Sequence, residues 1–157
     1  MRTKTQTMAQ LGYIAAAILG IIALCLPLLT FTIPEGTNIA PGLDFSTSYV
    51  STQKGISQIA FWPAIVCSVI GSISILIRYR RVLVFVLGLI TSVNLLSAFI
   101  YTQNVESGLI LSNKFTSMNI LDMMEYKIEI GAYVCLIAAV LMVIFTFMNF
   151  MFVRNYD

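Results

Sequence analysis

The chain has 157 residues, the length of one ordinary domain, of which 59% are hydrophobic and only 10% charged. A water-soluble domain carries roughly a quarter charged residues, so this composition, with a mean hydropathy of +0.91, excludes an ordinary soluble globule and points to a lipid bilayer as the surroundings. The formal charge of +2 is spread along the chain and forms no basic stripe that follows phosphates, which excludes nucleic acid as a partner.

An apolar run of about 20 residues crosses the hydrocarbon of a bilayer as a helix. Four runs free of charged residues predict spans at Met8–Phe31, Ile56–Ile77, Val82–Tyr101 and Ile130–Val153. The expected fold is an all-α membrane protein, an antiparallel four-helix transmembrane bundle forming a single membrane domain over 1–157. The first run follows Arg2 and Lys4, as a secretory signal would. Its apolar core is longer than the roughly 7–15 residues of a signal peptide, which predicts a retained helix.

Between the first two spans lies the segment Thr32–Gly55. It opens with the turn signal PEGT and continues as LDFSTSY, where Leu43, Phe45 and Tyr49 alternate with polar residues as in a half-buried strand. The flanking LTFTI also alternates, so a small extracellular β-hairpin is expected here. The second and third spans are joined by the turn RYRR, short enough to force an antiparallel hairpin. The last connection, Thr102–Glu129, contains SMNILDMMEYKI, in which Ile120, Met123, Met124 and Ile128 recur at helical spacing. With Asn119 and Asp122 near its start, this predicts a short amphipathic helix, either lying on the membrane and bundle or binding a partner.

Arginine placement sets the direction. Arg2, Lys4, Arg78, Arg80, Arg81 and Arg154 all fall in the short segments on one side. The two long connections hold Lys54, Lys114 and Lys127 against Glu35, Asp44, Glu106, Asp122, Glu125 and Glu129. The positive-inside rule places the arginine side and both termini in the cytoplasm, in a plasma or cytoplasmic membrane. Tyr13 and Tyr79 then fall near inner span ends, and Trp62, Tyr101 and Tyr133 near outer ones.

Within the spans, small residues recur four apart: Ala16 with Gly20, Ser68 with Ser72, Gly88 with Ser92, and Cys135 with Ala139. Such pairs let helices approach closely, either within the chain or against another subunit. Asn94, with Thr91 nearby, is a polar residue inside the third span. Its amide suits an interhelical hydrogen bond or, with Ser68, Ser72 and Ser74 facing it, a polar path. The fourth span ends in a run of Phe and Met around Asn149, expected to face lipid or to receive another subunit. Cys25, Cys67 and Cys135 are odd in number, lie in apolar runs and show no CxxC spacing, and there is no histidine. No metal, no cofactor and no disulfide framework is expected, and without a reactive constellation neither is an enzyme.

By layout the chain resembles claudin-like and other tetraspan proteins: four spans, internal termini, a strand-prone first outer segment and a tight inner turn. It has neither the Trp–Gly–Leu–Trp motif and cysteine pair of claudins nor the Cys–Cys–Gly signature of tetraspanins, so the resemblance is one of arrangement. It is also similar to small uncharacterised four-span proteins of bacteria, in the proline at the first span's end and in Gly131, Ala132 and Tyr133 opening the last helix. Neither group carries a functional residue over. Two functions fit: a non-catalytic subunit or scaffold joining other membrane subunits or copies of itself through small-residue faces and outer loops, or a small transporter, channel or immunity-type protein with a polar path near Asn94.

Overall fold

The computed structural model describes residues 4–33, 38–40, 43–44, 49–77, 80–104 and 125–153. It is mostly helical. Its helices are α1 (Lys4–Cys25), α2 (Trp62–Ile77), α3 (Arg81–Gln103) and α4 (Ile130–Phe152). With the short 3-10 turn that precedes α2, all four are long and apolar enough to cross a membrane. Each packs against its neighbours in chain order and α4 closes back onto α1, and the tight turn between α2 and α3 makes that pair an antiparallel hairpin.

The first span ends earlier than its hydropathy predicts. Leu26 N–H still donates to Ile22 O and Ala23 O, but Pro27 has no N–H to continue the ladder. The next residues, Pro27–Ile33, form strand β1 instead of the helix expected to Phe31. β1 pairs antiparallel with β4 (Tyr49–Lys54), a hairpin whose second strand starts where the expected one, Leu43–Tyr49, was to end, and β2 (Asn38–Ala40) pairs with β3 (Leu43–Asp44) as a separate ribbon. The all-α expectation is corrected most clearly by β5 (Glu125–Ile128). It lies where the last turn of the amphipathic helix was expected and pairs antiparallel with β1, giving a three-stranded sheet ordered β4-β1-β5. Four residues cannot separate the two periods, and the hydrogen bonds waiting on the free edge of β1 favour the strand. The rest of that predicted helix lies outside the described residues.

Register decides which face of the sheet meets the bundle. Leu29 is fully buried and stands opposite Gln53 and Ile128, while Thr30 stands opposite Thr52 and Lys127. Paired residues share a face, so Leu29, Phe31 and Ile128 look into the bundle and pack on Leu24, Phe61, Ala98 and Cys135. Thr52 and Lys127 look away from it. A second buried cluster fills the opposite end of the bundle, around Tyr13, Ala17, Ile75, Val84 and Met142.

Candidate functional site

Asn94 is the polar residue whose surroundings the fold defines most sharply. Helix α2 begins only at Trp62, after a 3-10 turn over Ile59–Phe61, with Pro63 in its first turn. The Asn94 side chain lies against this entry: its Nδ2 donates to Ala60 O at 3.0 Å and its Oδ1 accepts from Ala64 N at 3.3 Å. Those two backbone groups are four residues apart, the spacing that an α-helix joins directly. The amide bridges them from α3, satisfying polar groups left over where the helix starts. The structure thus sets Asn94 against Ala60 and Ala64 instead of the second-span serines expected to face it.

The other hydroxyls on α3 bond to their own helix. Thr91 donates to Leu87 O at 2.9 Å, Ser92 to Gly88 O at 2.8 Å and Ser97 to Val93 O at 2.8 Å. Such back-bonding removes the polar character that a hydrated path would need. Beside Asn94 lies an open groove of about 310 Å³, lined by Leu89, Ile90, Val93, Asn94 and Ser97. It sits on the outward side of α3, where Val93 is 64% exposed.

The four-spaced small residues are largely taken up inside the chain. Ala16, Gly20, Ser68, Gly88, Ser92, Cys135 and Ala139 are buried, and Ser72 is half-buried. A Cβ on Gly20 would stand 2.8 Å from Leu95 Cδ1, and one on Gly88 would meet the Thr146 hydroxyl and Tyr13 Cε2.

Tyr13, expected near the inner end of the first span, is fully buried within the bundle. Its ring reaches across the bundle into space that Gly71 and Gly88 leave open; a Cβ at Gly71 would meet the tyrosine hydroxyl. Gln10, Thr146 and Asn149 are buried at the same end of the bundle. Asn149 Nδ2 donates to Ala9 O at 2.7 Å and to Phe145 O at 2.8 Å, tying α4 to α1, while Gln6 Nε2 donates to Phe152 O at 2.9 Å. The sequence offered no signal for this cluster beyond the polar identity of Asn149, because the glycines that admit Tyr13 lie on other helices.

No protein-family model matches the chain, and no curated protein matches it.

Among the topology arginines, Arg78 lies outside the described residues, as do Tyr79 and Arg154. Arg80 is exposed just before α3. Arg81 lays its guanidinium over the Phe150 ring, 4.2 Å from the centroid, and Phe150 in turn contacts Phe85. Part of the Phe-rich end of α4 is therefore packed inside, with Phe145 against Gly12, while Phe147 and Phe152 are exposed. Trp62, Tyr101 and Tyr133 are exposed toward the sheet end of the bundle. Tyr101 and Gln58 both donate to Gln53 Oε1, at 3.4 and 3.1 Å, linking α3, β4 and the approach to α2. Among the described residues, no group of three His, Cys, Asp or Glu side chains gathers in a way that holds a metal ion.

Proposed function

We propose that this protein is a non-catalytic integral membrane subunit that works by contact, presenting its three-stranded sheet outside the bilayer as a platform for partner proteins. The observation that carries this reading is where the polar groups of the helices go. Asn94, Thr91, Ser92, Ser97 and Asn149 all bond backbone carbonyls of the bundle itself, so the helices form a packed support. The small-residue faces serve the same support, which moves the contact role to the sheet. Its bundle-averted side carries exposed Val50, Thr52 and Lys127, chemistry suited to a mixed polar and apolar protein contact.

The arginines at the opposite end make that end cytoplasmic by the positive-inside rule, leaving the sheet outside. Lys127→Cys should react with a membrane-impermeant maleimide in intact cells, and Arg80→Cys only after permeabilisation; the reverse pattern would sink the orientation. For the function, isolation in mild detergent should yield a stoichiometric protein partner. The double change Val50→Glu, Thr52→Lys should release it without altering thermal stability. Wild-type protein isolated with no partner, or full retention by the double variant, overturns the reading.

A further inference from the structure

We propose that the entry to α2 docks on lipid: Ile59 and Trp62 rest on the outer leaflet where acyl chains meet headgroups, and the sheet stands directly above them. The proposal rests on the reading above that the helices are membrane spans, and it adds where the bilayer surface meets the fold.

The first support is an unbroken apolar stripe. Ile59, Trp62, Val66, Ile70, Ile73 and Ile77 are all exposed and follow one another at three- or four-residue steps, so they share one side of α2 and its entry. Trp62 to Ile77 lie on the helix itself, while Ile59, 84% exposed, lies on the 3-10 turn before it. The stripe runs onto that turn without a polar member. Lipid that covers the helix therefore continues onto Ile59.

The second support is level. Phe61 packs edge-to-face on Tyr101, with ring centroids 6.1 Å apart. Tyr101 stands twenty residues along α3 from Arg81, about 30 Å at 1.5 Å per residue. That is the thickness of a hydrocarbon core, with an arginine at its inner limit and a tyrosine at its outer one, where bilayers favour them. The turn Ile59–Phe61 lies at that outer limit, and its apolar side reaches the acyl chains.

The third support is the backbone. An irregular turn facing lipid must have its carbonyls met from within the protein. Gly55 O, Gln58 O and Ile59 O accept from backbone N–H groups three residues on. Ile56 O accepts from Trp62 Nε1 and Ala60 O from Asn94 Nδ2, both at 3.0 Å. In an ordinary loop water would serve these last two carbonyls; here an indole and an amide reach to them. An indole whose N–H is bonded to protein is free to lay its ring on acyl chains. Because Lys54 ends β4 and Gly55 begins the turns, the sheet starts at the membrane surface and a partner meets it there.

Trp62 is the single tryptophan of the chain, so its fluorescence in the native protein reports this site alone. In nanodiscs, phospholipids brominated near the ester end of their chains should quench it at least about twofold more than those brominated near the methyl end, as a residue at the interface requires. Aqueous iodide should leave it almost unquenched. A nitroxide on Ile59→Cys, with Cys25→Ser and Cys67→Ala removing the two accessible thiols, should meet oxygen more readily than a water-soluble nickel complex. The same label on Thr52→Cys should show the reverse order. Strong quenching by iodide, stronger quenching from the methyl end, or a label at 59 as open to nickel as one at 52 would each overturn the proposal. So would a Trp62 that neither lipid nor iodide quenches, since protein would then cover the turn. Alkaline carbonate extraction separates the two levels. Protein that stays in the membrane yet fails these tests refutes the lipid contact alone, whereas protein that is extracted refutes the spans as well.

Discussion

Replacing Gly131 with alanine tests how the sheet is mounted on the helices. Gly131 is the second residue of α4 and is buried. A methyl there would meet backbone: Pro27 C at 3.0 Å and Leu26 C at 3.1 Å, with the Pro27 carbonyl oxygen closer still. Carbon atoms attract best at about 3.5–4.0 Å, so these contacts are repulsive, and backbone cannot rotate out of the way. The start of α4 has to move, and with it the bond from Glu129 N–H to Leu28 O, now 3.0 Å, and the β1–β5 register beyond it. Overpacking of this kind costs about 1–3 kcal/mol, and a backbone obstacle belongs at the upper end. Alanine returns about 0.5–1 kcal/mol by restricting the unfolded chain. The expected net loss for Gly131→Ala is therefore about 2 kcal/mol, roughly a 30-fold change in the folding equilibrium. Gly20→Ala is the matched control, since its new methyl meets the tip of Leu95 at 2.8 Å and a side chain can turn away; its net effect should stay within about 0.5 kcal/mol. Both are read by reversible denaturant unfolding of the purified protein in detergent. If Gly131→Ala is as stable as wild type, or loses less than Gly20→Ala, the close mounting of α4 on the α1–β1 junction is wrong.

Three further substitutions follow from the buried polar groups. Asn94→Leu removes the bridge between Ala60 and Ala64 and should cost about 1–2 kcal/mol. Hydrogen exchange at the Ala64 amide should speed up before the rest of α2 is affected, and unchanged protection there would contradict the bridge. Asn149→Leu breaks the tie to Ala9 O and should loosen the α1–α4 contact by about 1 kcal/mol, seen as faster exchange in the first turns of α1. Thr146 is fully buried and its hydroxyl has no hydrogen-bond partner among the described residues, so Thr146→Val should be neutral or stabilising by up to about 1 kcal/mol. A clear loss of stability in the same unfolding assay would mean that this hydroxyl is bonded after all.

The helices were legible to the extent that charge marks their ends. Arg81 and Glu129 bound apolar runs, and α3 and α4 match the predicted Val82–Tyr101 and Ile130–Val153 within two residues. The first run failed at its far end because hydropathy cannot tell an apolar helix from the apolar strand that continues it. The signal was local: Pro27, then Leu29 and Phe31 alternating with Thr30 and Thr32. In β5 the alternation of Tyr126 and Ile128 with Lys127 was equally present, but helical spacing fitted the longer window. Asn94 was readable as a residue seeking an interhelical bond, yet its acceptor was not, since that depended on α2 starting at Trp62. Tyr13 shows the limit most plainly. An aromatic near a span end reads as a boundary residue, and only the absence of side chains at Gly71 and Gly88 turns it inward.

β1 leaves α1 after one residue, and β5 enters α4 after one residue, so the platform is fixed to α1 and α4 by short covalent links and by Leu29 and Ile128 in the core. On the α3 side it is held by the Tyr101 hydroxyl, which donates to Gln53 Oε1 at 3.4 Å. A bond of that length is weak, so Tyr101→Phe should leave stability within about 0.5 kcal/mol and partner binding within about twofold. A larger loss of either, measured by denaturant unfolding and by titration of the partner, would show that α3 carries part of the platform.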